Sequence, residues 1–343
     1  VRRSGIRQEA AVLFGGRFND DGGQDGCRFF EASLTMKTRV VLVAGFLMAV
    51  ASVRAEWQRT DTTLAWRKGD AIVWQLSFDP AKGKPFFHPL SVDGGTSLTN
   101  FRPEDHPWHY GMWFSWKFIN EANYWEENRQ TGRSEGATRW DPPTIATNED
   151  GSATITFNVT YTHPSGRIDL TEVRALKISA PAKDGGYFVD WTSVFTAGPI
   201  DVVLDRSPLP GEPGGKFYSG YAGLSVRLAS APTVVEFMST DGPITEYANE
   251  RSRPAVPAVA ANVTENGKDV GALAILSAAD NIGERAPWYL VKSEMRFACA
   301  AVLAPKKITL PAGKEWKLVY RVALRPEAWT PDDLRTALAE WRR

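Results

Sequence analysis

The chain has 343 residues, 43% hydrophobic and 23% charged, with forty Lys plus Arg balanced by forty Asp plus Glu. Thirteen Trp, seventeen Phe and nine Tyr supply ample apolar surface to bury, which excludes a chain disordered along its whole length. Zero net charge argues against a nucleic-acid partner, because that class of protein carries a basic surplus.

Residues 1–35 are polar, rich in Gly and Asp around Asn19 to Gly26, and without periodicity. They read as an upstream segment translated ahead of a true start at Met36. Lys37 and Arg39 then form a positive region, Val40 to Val53 is apolar, and Val53-Arg54-Ala55 puts small residues where signal peptidase requires them. This pattern predicts a secretory signal peptide over 36–55, cleaved after Ala55. The apolar run is too short to cross about 30 Å of hydrocarbon, so no membrane anchor is expected after cleavage. The mature chain, 56–343, would form a single domain of 288 residues with 32 basic against 35 acidic side chains, a net charge of −3. Cys27 lies upstream of the cleavage point, so Cys299 is left alone and no intramolecular disulfide can form. An exported chain without disulfides suits a bacterial periplasmic or secreted location.

Beyond the leader the dominant period is two. Strands are predicted over Ala71 to Phe78, Ala153 to Tyr161, Ile168 to Ile178, Tyr187 to Thr196, Gly223 to Leu228, Thr233 to Met238, Val270 to Leu276, Glu294 to Leu303 and Glu315 to Leu324. Asp150-Gly151, Pro164-Ser165-Gly166, Asp184-Gly185-Gly186, Asp241-Gly242-Pro243 and Pro311-Ala312-Gly313 punctuate them as turns. So many strands without intervening amphipathic helices predict an all-β fold, a large antiparallel β-sandwich. Residues 205–221 are too rich in Pro and Gly for regular structure, and serve either function or plain connection. One helix is predicted at the C-terminus: Thr330 caps it, Pro331 opens it, Asp333 completes a capping box, and Leu334, Leu338 and Trp341 mark its apolar face.

One segment carries chemistry. His88, His106 and His109 are three of the four histidines, and Trp108, Trp113, Trp116, Trp125 and Trp140 cluster in the same region. Its centre reads Phe101-Arg-Pro-Glu-Asp-His-Pro-Trp-His-Tyr-Gly-Met-Trp-Phe-Ser-Trp-Lys-Phe118. Pro103 and Pro107 oppose helix, so Glu104 to Trp108 is expected as loop, followed by a strand from His109. Alternation would put Tyr110, Met112, Phe114, Trp116 and Phe118 on a core face. The opposite face would present His109, an exposed Trp113, Ser115 and Lys117. Aromatic platforms beside acid–base groups suit a sugar, whose C–H faces stack and whose hydroxyls are read by polar groups. A Trp-rich strand buried between two layers, with the histidines bonded to backbone, is the structural alternative.

The candidate acid–base set is His106, His109, Asp105 and Glu126. His88, Arg102, Trp108, Trp113, Lys117, Trp125 and Glu127 are the candidate substrate-binding residues. His106 and His109, with Asp105 and His88 nearby, also offer N and O ligands for a metal, but Pro107 removes the helical geometry of the HExxH type. No cofactor is expected. No G-x-S-x-G occurs, and Cys299 in its apolar strand reads as an inert core thiol.

The runs Phe87-His-Pro-Leu90, Thr99 to Trp116 with its Asp-His-Pro-x-His-x-Gly core, Asn123-Tyr-Trp-Glu126, Tyr221-Ala-Gly-Leu-Ser225 and Ala286-Pro-Trp-Tyr289 resemble the bacterial family labelled PmoA, or DUF6807. The resemblance covers nearly all of the mature chain, though members often carry Arg where this chain has Tyr110. It implies an exported β-sandwich of carbohydrate-degrading bacteria, akin by fold analogy to the mutarotase-like supersandwiches. The label's expansion, methane oxygenase, implies a subunit built of membrane helices, and only the leader here is strongly apolar. The combined expectation is a protein whose ligand is a carbohydrate or glycoside bound in a His/Trp-rich cleft. Acid–base catalysis of the hydrolase, lyase or epimerase type is expected there, with non-catalytic sugar binding or scaffolding as the alternative and a metal-dependent oxygenase last.

Overall fold

Apolar side chains recur at every second position in strand after strand, and this period decides which faces meet. Tyr187–Ala197 is the clearest case, with Val189, Trp191 and Phe195 turned inward between more accessible neighbours. The computed structural model describes residues 55–293 and 295–343. The expected upstream segment and the leader up to residue 54 lie outside the described residues, as does Glu294.

The described strands assemble into two large antiparallel sheets and one small one. The first large sheet runs, in spatial order, Ala55–Arg59, Thr63–Lys68, Ala71–Ser77, Phe86–Leu90, Met112–Ser115, Gly223–Arg227, Phe297–Ala300, Trp288–Val291 and Arg251–Ser252. The second is centred on Lys268–Ser277, Glu315–Arg325, Tyr187–Ala197, Ile168–Ile178 and Ala153–Thr162, with Thr233–Ser239 and Ala258–Glu265 toward one edge. Phe87 meets Trp191 and Phe114 meets Phe195 across the gap between the sheets, at ring separations of 6.5 and 5.4 Å. The expected β-sandwich is therefore the observed one.

The outer face of the second sheet is lined by Ala258, Ala260, Ala272 and Ala274, small enough for a helix to approach closely. The helix Pro331–Trp341 fills that place with Leu334 and Leu338, and its start carries the Thr330–Asp333 capping box the sequence predicts. Most predicted strands are found within two residues of their expected ends. The one expected from Glu294 to Leu303 is shorter, Phe297–Ala300, because Arg296 takes a left-handed φ of 35° and the chain turns between Ala301 and Ala304. The strands Thr63–Lys68 and Ala258–Glu265 were not anticipated.

The strand expected from His109 needs correction. It runs only over Met112–Ser115, and Met112, Phe114 and Trp116 do face the inter-sheet core. Tyr110 and Phe118 do not. Gly111 has φ of 69°, and a Cβ there would stand 2.3 Å from the Phe87 carbonyl oxygen, so only glycine fits. This left-handed residue breaks the alternation and turns Tyr110 to the same side as Trp113. Phe118 belongs to a separate two-residue strand in the small sheet, where its neighbour Ile119 takes the core position.

Candidate functional site

Cross-strand register builds the floor of the site on the outer face of the first sheet. Phe86, Trp113, Ser225, Cys299 and Tyr289 are paired in one row across five strands. Two residues further along, Arg227, Phe297, Val291 and Arg251 form the next row. Paired residues of an antiparallel ladder project to the same face, so this surface is aromatic by register alone. Phe86, Trp113, Tyr289 and Phe297 are its buried aromatic members, and Trp125, from a loop, packs against them. Burial pushes the Cys299 thiol up to about 12, so this sulfur stays protonated, as an inert core thiol should.

Loops stand on this floor and enclose a cavity of about 360 Å³. His106, Trp108, His109, Trp125 and Glu126 line it together with Tyr218, Tyr221, Arg251, Tyr289, Met295 and Phe297. Five sequence-predicted residues are thus brought to one place. The segment carrying the histidines is held by two successive turns, in which the His106 N–H donates to the Pro103 carbonyl and the His109 N–H to the His106 carbonyl. Arg129 ties this loop down by donating to the carbonyls of Glu104 and Asp105, both at 3.1 Å. Trp125 and Glu126 are set by an Asx turn: the Asn123 side-chain oxygen accepts from both their backbone N–H groups.

The two histidines differ in role. His106 hydrogen-bonds Asp105 through Nδ1 at 2.7 Å, and Arg227 donates to both oxygens of Asp105 at 3.0 and 3.1 Å. Partial burial raises the Asp105 pKa, but the bond from His106 and the Arg227 charge outweigh it and leave the carboxyl below its usual range. An ionised carboxylate only accepts, so Nδ1 carries a proton and Nε2 is the nitrogen left for a ligand. His109 lies stacked against His106, with ring centres 4.7 Å apart, and is 3% exposed. Burial first, then the charges of His106, Arg227 and Lys84, hold its pKa well below the usual value, so the imidazole is neutral. Its Nδ1 faces the Arg227 guanidinium at 3.4 Å, a group with no acceptor, which leaves the His109 proton on Nε2. The rings meet face to face instead of converging on a common point. Among the described residues no group of three or more His, Cys, Asp or Glu side chains is placed to hold a metal ion.

Glu126 is the acidic group of the cavity. Tyr221 donates to one oxygen at 2.7 Å, while Lys117 and Asn123 donate to the other. Burial pushes its pKa up, yet the Lys117 charge and these hydrogen bonds prevail and hold the carboxyl below the usual range. It is ionised at neutral pH.

Several expected ligand contacts fall elsewhere. Trp113 is fully buried beneath His109, Trp125 and Phe297, so it supports the floor and offers no exposed platform. Lys117 is buried behind Glu126 and acts through it. His88 donates to or accepts from Thr99 at 2.9 Å and stacks on Phe101; burial lowers its pKa to about 4, and it does not line the cavity. Arg102 and Glu127 belong to a buried network in which Arg102 donates at 2.9 Å, Lys84 at 3.2 Å and Tyr110 at 2.5 Å to the Glu127 carboxylate. Two cations already balance Glu127, so Tyr110 fits there without a third. Sequence reasoning missed Tyr218, Tyr221, Arg251, Tyr289, Met295 and Phe297 as site residues, because they arrive from segments 90 residues or more away. The irregular run 205–221, which ends on two of them, was the available signal.

The model of the family described as "Family of unknown function (DUF6807)" matches residues 63–339. The chain belongs to this family. That description names no activity, and the methane-oxygenase label gains no support from it. No curated protein matches this family member in sequence. Among solved structures it is similar to a putative aldose 1-epimerase from Klebsiella pneumoniae subsp. pneumoniae MGH 78578, at 8% identity and a TM-score of 0.43, over 81% of this chain and 83% of that one. It is also similar to the galactosidase domain of the alpha-galactosidase-sucrose kinase AgaSK, at 8% identity and a TM-score of 0.38, over 80% of this chain and 41% of the other. A third likeness is to the Slr1438 protein from Synechocystis sp. PCC 6803, at 5% identity and a TM-score of 0.37, over 80% of this chain and 96% of the other. At such values the chemistry of this family member rests on its own cavity.

Proposed function

We propose that this family member is an exported, single-domain carbohydrate-active protein that binds a sugar or glycoside in the 360 Å³ cavity and performs acid–base chemistry on it. The observation that carries the reading is the lining itself: Trp108, Trp125, Tyr218, Tyr221 and Tyr289 surround two imidazoles, of which His106 is the more accessible, and one ionised carboxylate. Aromatic walls cover the C–H faces of a sugar ring while His106 and Glu126 address its oxygens. The volume lies at the small end of ligand sites and suits about one or two sugar rings. Export is supported by the leader pattern over 36–55.

Hydrolysis, elimination and epimerisation each need a proton acceptor and a proton donor at one ring. Glu126 accepts in its ionised state. His106 accepts at Nε2 and donates once protonated, with Asp105 stabilising the imidazolium as it forms. His109, neutral and buried, positions His106 by stacking.

A panel of glycans incubated with the mature protein, with product analysis beside a binding measurement, tests this reading. His106→Ala and Glu126→Gln are each expected to reduce turnover by about 100-fold or more with the fold intact. A double variant that turns over as the parent does would sink the acid–base proposal. The second reading, sugar binding without catalysis, is favoured by Glu126 having both oxygens already engaged by Lys117, Asn123 and Tyr221. It predicts saturable glycan binding with no product from any ligand bound.

A further inference from the structure

The charges around the cavity are unevenly compensated. Glu126 is matched by Lys117, and Asp105 by Arg227. The cavity wall also holds Arg251, and Arg253 packs over Tyr289 of the same wall. Among the described residues, the polar contacts of Arg251 are the Tyr289 hydroxyl at 3.4 Å and the Asn249 carbonyl at 2.6 Å. Those of Arg253 are the carbonyls of Phe217 and Ser219, at 2.7 and 2.9 Å. Neither guanidinium pairs with a carboxylate there.

Arg251 is also held in place before any ligand arrives. It closes a two-residue hairpin turn in which Asn249 and Glu250 take φ of 48° and 64°, and the backbones of Ala248 and Arg251 exchange both hydrogen bonds. Two left-handed non-glycine residues in succession are strained, and such strain is retained where a side chain must be aimed. The guanidinium packs over the Phe217 ring at 4.9 Å, which fixes its plane. Tyr289 accepts a hydrogen bond from Arg251, so its own proton is left to donate. Arg253 packs over the same Tyr289 ring at 4.9 Å and braces it. A fixed guanidinium with no carboxylate partner among the described residues, beside a hydroxyl free to donate, is a corner suited to an anion.

We propose that the ligand is an acidic sugar, carrying a carboxylate or sulfate group that Arg251 and Tyr289 bind in the same cavity that holds His106 and Glu126. Arg251 is then a specificity-determining residue that selects charged over neutral sugars. Binding energy spent on this group also anchors the ring, so that the bonds to be altered lie toward His106 and Glu126. The inference rests on the carbohydrate reading of the same site, and fails separately from it.

The test measures equilibrium binding of the mature protein to a neutral oligosaccharide, the corresponding oligouronide, its methyl ester and a sulfated oligosaccharide. The expected result is binding of the oligouronide or the sulfated sugar at least tenfold tighter than that of the neutral one, weakening as salt is raised. If the uronide is the ligand, methyl esterification removes the preference without any change to the protein. Arg251→Gln should remove it too, and Arg251→Lys, which keeps the charge and loses the fork, should retain part of it. Tight binding only by the sulfated sugar identifies the group as sulfate and supports the proposal. Equal binding of neutral and acidic sugars, or an Arg251→Gln variant with its preference unchanged, overturns the charge proposal and leaves sugar binding standing. Failure of every sugar, neutral and acidic, overturns both.

Discussion

Histidine shows how far residue type alone can mislead. All three histidines of the 88–109 stretch carry the same side chain, yet His106 lines the cavity half-buried, His109 lines it almost wholly buried, and His88 is bonded to Thr99 away from it. The difference is a matter of surroundings, and it has a measurable consequence. Burial lowers the His88 pKa from 6.5 to about 4. Between those values the unfolded chain binds more protons than the folded one, so stability falls as pH drops through that window. The loss attributable to His88 amounts to at most about 3 kcal/mol. Urea denaturation at a series of pH values should show this slope, and His88→Gln should make it shallower; an unchanged slope would show that His88 is protonated without penalty in the fold. His109 contributes in the same direction, since burial and nearby cations also lower its pKa.

At the scale of elements, the period of two was legible in the sequence and correctly marked the five longest strands of the second sheet, though not Ala258–Glu265. Its failures have local causes. Gly111 reverses the faces on either side of it, and this is why Tyr110 joins Trp113 in the outer aromatic cluster instead of joining Met112 in the core. Gly111→Ala is expected to destabilise the protein by about 2 kcal/mol or more, because a Cβ there combines a left-handed φ of 69° with a 2.3 Å clash against backbone. A denaturation midpoint equal to that of the parent would refute this. Trp113 fails for a related reason: alternation says which face a side chain takes, but whether that face meets solvent depends on what else covers it. Here Trp125 and Phe297, from two other segments, close over the indole.

At the scale of the molecule, the central strands of the first sheet are buried on both faces, with the sandwich core on one side and the site's aromatic cluster on the other. Stability and ligand binding should therefore separate by face. Phe114→Ala, in the core between the sheets, is expected to cost about 3–5 kcal/mol of stability. Trp108→Ala, on the half-buried wall of the cavity, should leave stability within about 1 kcal/mol and weaken sugar binding about tenfold. Paired denaturation and binding measurements on the two variants check this, and a Trp108→Ala variant with parental affinity would remove that indole from the site. By itself the sequence determined the class of fold, the capped terminal helix and the neighbourhood of the site, because alternation, caps and residue clustering are local properties of the chain. Only the tertiary structure decided which of those residues reach the ligand. Tyr221, Arg251 and Tyr289 come to Glu126 and His106 through pairing between strands far apart in sequence, and no local pattern encodes which distant strand will lie alongside.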